Sequence, residues 1–133
     1  MTVVYDLKRE AFEWLKDINS TIEEECPEYF LVNPAIASSA WWESYDKNQI
    51  LKVIRSGKIT FLGERADWSN HIAYIVEICC NGELVEYEIC ENWEFNCLTI
   101  GHVLEVEEFS IKFAGRYGPY IFKFIKRVEI KGT

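Results

Sequence analysis

The sequence has no apolar run approaching the roughly 18–20 residues that a helix needs to cross a bilayer, and its opening, MTVVYDLKREAFEWL, lacks the basic-then-apolar pattern of a secretory signal. A cytoplasmic chain with no membrane partner is the expectation. No Cys-x-x-Cys pair occurs among Cys26, Cys79, Cys80, Cys90 and Cys97, whereas structural zinc sites usually bring their ligands in such pairs. Five thiols, an odd number, fit free cysteines in a reducing compartment. Histidine is scarce: His71 follows Glu64, Asp67 and Ser69, and His102 lies five residues from Cys97. Gly-rich phosphate loops, a Gly-x-Ser-x-Gly elbow and a His-x-x-x-His pair are all missing. With so little material for a nucleophile, a base or a metal, the expectation is a non-enzyme with no catalytic residues, metal or cofactor. Repeats, low-complexity tracts and linkers are absent too, so residues 1–133 read as one domain.

What is present is apolar enough to fold. At 49% hydrophobic and 15% aromatic residues, the chain can offset its conformational entropy by burial. Leu7, Ala11, Leu15, Ile18 and Ile22 recur at three and four residues and mark the inner face of a first helix. Glu23–Glu25 followed by Cys26-Pro27 end it, because proline restricts the residue before it. A second helical stretch is expected over Trp41–Ser56, either as one helix or as two meeting at Asp46, with Gly57 as its stop.

From Lys58 the period changes to two. KITFL reads as a short strand, and HIAYIVEICC, Asn81-Gly82 and ELVEYEIC read as a hairpin, since Asn-Gly favours a type I′ turn. The turn fixes a register that places Cys80 opposite Glu83, Ile78 opposite Val85, Val76 opposite Tyr87 and Tyr74 opposite Ile89. Glu77 then faces Glu86 on the other side, and Glu88 faces Ile75. Farther on, Leu104 and Val106 share one parity and Phe109, Ile111 and Phe113 the other, so a bulge or bend is required near Glu107 and Glu108. The expected fold is α+β. Helices in residues 1–57 would pack on a curved antiparallel sheet or small OB- or SH3-like barrel of five to six strands in residues 58–131.

Charge divides unevenly. Up to Phe109 there are 8 basic and 21 acidic residues, a net of −13; the last 24 residues hold 6 basic and 1 acidic, a net of +5. Glu77, Glu83, Glu86, Glu88, Glu91 and Glu94 crowd the hairpin and its exit, although like charges opposite each other destabilise a strand pair. In the tail, Lys112, Arg116, Lys123, Lys126, Arg127 and Lys131 alternate with aromatics that include Tyr117 and Tyr120.

The segment LTIGHVLEVEEFSIKFAGRYGPYIFKFI, residues 98–125, resembles the later strands of an OB-fold barrel, and GRYGPYI resembles a turn in the C-terminal repeats of bacterial type IA topoisomerases. The OB resemblance implies single-stranded nucleic acid or another ligand bound on a sheet face.

Three readings stay open. The first is an inhibitory or binding protein, of the immunity or phage-inhibitor kind. It presents the acidic hairpin, with Trp93, Trp41 and Trp42 as anchors, to a basic surface, including that of a nucleic-acid-handling partner. The second is an OB-like nucleic-acid-binding domain using Lys112, Arg116, Tyr117, Tyr120, Lys123, Lys126 and Arg127. The third is a small-molecule-binding or hydrolytic cone lined by Trp and Tyr.

Overall fold

The computed structural model describes residues 2–9, 13–66, 69–90, 92–115 and 118–132. Six strands form one open antiparallel sheet: β1 (Thr2–Asp6), β2 (Leu51–Ala66), β3 (Ile72–Cys80), β4 (Glu83–Glu88), β5 (Val103–Gly115) and β6 (Gly118–Gly132). Their order is β1-β6-β5-β2-β3-β4, which leaves β1 and β4 as edges. The three helices are α1 (Glu13–Glu25), α2 (Tyr29–Val32) and α3 (Ser39–Asp46), and a 3-10 turn covers Phe95–Cys97. Among the described residues no helix is long and apolar enough to cross a membrane. The expected α+β class with helices and a curved sheet is present. Closure into an OB- or SH3-like barrel is not seen among these strands.

The N-terminal part is less helical than its spacing suggests. Residues 2–6 form β1, and Leu7 is buried just beyond it, with its N–H donating to Lys126 O at 2.8 Å rather than joining a helical face. Helix α1 does end at Glu25, before Cys26-Pro27. Helix α3 starts one turn after Pro34, where Ser38 Oγ accepts from Trp41 N–H at 3.3 Å. It stops at Asp46, because Asn48 adopts a left-handed backbone (φ 59°).

Of the helix expected over 47–56, residues 47–50 are turn and bend, and residues 51–56 are the first part of β2. Gly57 is therefore not a helix stop. A Cβ there would lie 2.6 Å from the carbonyl carbon of Cys79, so the glycine is what lets β3 approach β2.

The chain divides into two compact units, one made of Met1–Leu7, Ile54–Glu107 and Ile125–Thr133, the other of Lys8–Val53 and Glu108–Phe124. In the second unit, Trp41, Tyr45, Phe109 and Phe124 form an aromatic cluster with centroids 5.1–5.7 Å apart. Asn19 pins the connector to α1, donating to Ile36 O and accepting from Ile36 N–H.

In the first unit, Val4, Ile59, Val76, Ile78, Leu104, Val106 and Val128 are buried. Inward parity along β5 changes at Glu107–Glu108, as the alternation requires: Leu104 and Val106 are buried before it, Phe109 and Ile111 after it.

Glu94, six residues beyond the end of β4 at Glu88, donates its N–H to Val4 O in β1 at 2.8 Å, so the segment that leaves one edge strand meets the other edge strand.

Candidate functional site

The β3–β4 hairpin has the register its Asn-Gly turn dictates: Cys80 pairs with Glu83, Ile78 with Val85, Glu77 with Glu86, Val76 with Tyr87 and Ile75 with Glu88. Asn81 (φ 52°) and Gly82 (φ 82°) supply the two positive φ angles of the turn. Ile89 N–H donates to Tyr74 O at 2.9 Å and extends the ladder by one more row.

A bulge in β2 decides which side chains join each face of this hairpin. Ile59 pairs with Ile78 but Phe61 with Glu77, so Thr60 is the extra residue. The slip turns Phe61 and Arg65 to the face of Glu77 and Glu86, and turns Leu62 and Glu64 to the face of Val76 and Tyr74.

On the first face, Arg65 Nη1 donates to Glu77 Oε2 at 3.1 Å and also to Glu86 Oε1, while its guanidinium lies 4.1 Å over the Phe61 ring. Thr60 Oγ1 adds a 2.8 Å hydrogen bond to Glu77 Oε1. The like-charge pair that the register imposes is thereby compensated from the neighbouring strand.

Compensation stops there. Glu83, Glu88 and Glu94 are exposed, and so is Glu86 beyond its bond to Arg65. No lysine or arginine occurs in the sequence between Arg65 and Lys112. The β4 edge and the segment after it form a carboxylate-rich rim.

Beside this rim lies an open groove of about 350 Å³ lined by Tyr74, Ile89, Cys90, Trp93 and Phe95. Phe95 N–H donates to Trp93 O at 2.8 Å around Glu94 (φ −75°, ψ 73°), an inverse γ-turn that sets Glu94 at its apex between two aromatic residues. Tyr74 and Phe95 are 47% and 39% exposed, with ring centroids 5.3 Å apart at 80°. Glu64, opposite Tyr74 in register and exposed, stands on the same side.

Burial raises the Cys90 thiol pKa, and the Glu88 carboxylate raises it further. The sequence reading missed this site. Tyr74 and Phe95 are 21 residues apart in the sequence, and no local pattern marks their ring contact.

Two of the three expected tryptophan anchors are core. Trp93 is 5% exposed and stacks on Tyr5 at 6.1 Å, because the segment after β4 folds onto β1. Trp41 is 1% exposed within the aromatic cluster, since α3 turns it inward with Tyr45. Trp42 is half-buried, edge-on to Trp41, with Lys8 Nζ 5.6 Å from its ring.

In the basic strands Lys112 and Lys123 are exposed, but Lys126, Arg127 and Lys131 meet carboxylates. Lys126 Nζ is 3.9 Å from Asp6, Arg127 Nη2 is 3.5 Å from Glu129, and Lys131 Nζ is 3.7 Å from both Glu129 and Glu105. Glu91, Arg116 and Tyr117 lie outside the described residues, as does the Tyr120 side chain.

The remaining chemistry is sparse. All five cysteines are free, and Cys97 Sγ donates to Glu94 O at 2.7 Å rather than engaging His102. Burial raises the Cys97 thiol too. Among the described residues no group of three or more His, Cys, Asp and Glu is placed to hold a metal. A larger open cavity of about 720 Å³, between α1 and residues 30–35, contains neither histidine nor cysteine. A scan against protein-family models found no match for this chain, and a search of curated proteins found none either.

Proposed function

We propose that this chain is a non-enzymatic, inhibitor-like binding protein that offers the carboxylate rim of the β4 edge to a basic surface on another protein, of the kind that handles nucleic acid. The observation that carries this reading is the exposure of Glu83, Glu88 and Glu94 along an edge strand and its exit, in a stretch without lysine or arginine. Such a rim steers a basic partner by its field and makes binding salt-sensitive. Action in the cytoplasm fits five free thiols.

Lys112 and Lys123 favour an OB-like, nucleic-acid-binding second reading, but pairing of Lys126, Arg127 and Lys131 with carboxylates ranks it below the first. Affinity capture from the source cells, with and without nuclease, separates the two. The expected outcome is one basic protein retained after nuclease and lost when Glu83, Glu88 and Glu94 are changed to Lys. Capture indifferent to these reversals, or abolished by nuclease, overturns the proposal.

A further inference from the structure

The groove beside the rim has the chemistry of a cation socket. Two exposed rings meet nearly at right angles across 5.3 Å, a third aromatic residue lines the floor, and exposed carboxylates stand at Glu64 and Glu94. A cation near an aromatic face is attracted by the ring quadrupole, and more so where it is partly desolvated. An apolar occupant would strip water from those carboxylates and give nothing in return. The volume of 350 Å³ is near the bottom of the roughly 300–1,000 Å³ range of small-molecule pockets, a size suited to one side chain rather than an extended ligand. The chain's own nearby cation, Arg65, is committed on the opposite face to Glu77, Glu86 and Phe61.

We propose that the groove of Tyr74, Ile89, Trp93 and Phe95 receives one lysine or arginine side chain from the basic partner, with Glu64 and Glu94 as its counter-charges. This rests on the binding-protein reading and gives it an anchor: the rim attracts, and the socket fixes where the partner seats. Rings rather than carboxylates then control residence, since both flanking carboxylates are solvent-exposed and screened by salt.

The test is titration of the full chain with the ten-residue peptide (Gly-Lys)5, followed by amide shifts in two-dimensional NMR. Saturable shifts at Tyr74, Ile89, Cys90 and Phe95 are expected. Tyr74→Leu and Phe95→Leu, both at exposed positions and charge-neutral, should each weaken binding about two- to thirtyfold, the range of a cation–ring contact. Glu64→Gln should weaken it less. Unmoved groove amides, or wild-type affinity in both ring variants, overturn the socket. If in that event Glu83→Lys and Glu88→Lys still abolish peptide binding, the rim reading stands without it. If the ring variants lose binding while the charge reversals do not, the socket stands and the rim reading falls.

Discussion

The β3–β4 hairpin and the end of β6 both carry alternating charged residues, and both lie in the same compact unit. In β6 nearly every cation has a carboxylate across or along the strand: Lys126 meets Asp6, Arg127 meets Glu129, and Lys131 lies between Glu129 and Glu105. The hairpin itself has no lysine or arginine; Arg65 of the neighbouring β2 covers Glu77 and Glu86 and leaves Glu83 and Glu88 exposed. A split of −13 and +5 along the sequence therefore does not translate into an acidic face and a basic face. Register decides which charges are internal bookkeeping and which remain for a partner. The basic end has largely satisfied itself, and the acidic end has not.

The largest expected effect breaks the hairpin side of this comparison. Gly57→Ala places a methyl 2.6 Å from the Cys79 carbonyl carbon, far inside contact distance and against backbone that cannot rotate away. Strands β2 and β3 must part locally, and a loss of about 3 kcal/mol is expected, at the upper end of typical overpacking costs. Chemical denaturation measures it. Amide exchange should show the loss in β3 before β6, and equal loss in both would mean that the two regions are not energetically distinct.

A second contrast sharpens the comparison directly. Glu129 has a side chain only 9% exposed and serves two cations, so Glu129→Gln removes the carboxylate beside Arg127 and one of the two that Lys131 meets. Since both cations reach solvent, the cost should be about 2 kcal/mol, below that of breaking a fully buried pair. Glu88→Gln, on the exposed rim, should change stability by no more than about 0.5 kcal/mol. Similar losses from both substitutions would show that the rim is structural.

How much of this was legible in the sequence depends on how local its cause is. The hairpin register was readable because two residues, Asn81 and Gly82, dictate it, and the parity change at Glu107–Glu108 was readable from the alternation alone. Residues 47–56 read as helix because Asp46 looks like a helix start and Gly57 like a helix stop, whereas strand pairing along β2 overrides that pattern from Leu51 onward. Strand β1 was hidden because Leu7 completes an apparent helical stripe. The compensating role of Arg65 and the placement of Glu64 beside Tyr74 both hang on the single extra residue Thr60, and a bulge of that kind has no reliable sequence mark. Missing it reverses the face of every residue from Phe61 to Ala66.

The smallest expected effect probes whether uncompensated rim charge reaches the groove at all. In the folded chain Cys90 has a raised thiol pKa, first by burial and then by the Glu88 charge. The neutral thiol is therefore favoured on folding: its contribution to stability is fully present below the ordinary thiol pKa and is lost as pH climbs through the raised value. Because the thiolate is the nucleophile, Cys90 should react with iodoacetamide at pH 8 more slowly than a free cysteine peptide, despite its exposure. Glu88→Gln should speed that reaction modestly, because burial remains the larger cause, while Glu129→Gln should leave it alone. An unchanged rate in the Glu88 variant would mean that rim charge stops short of the groove.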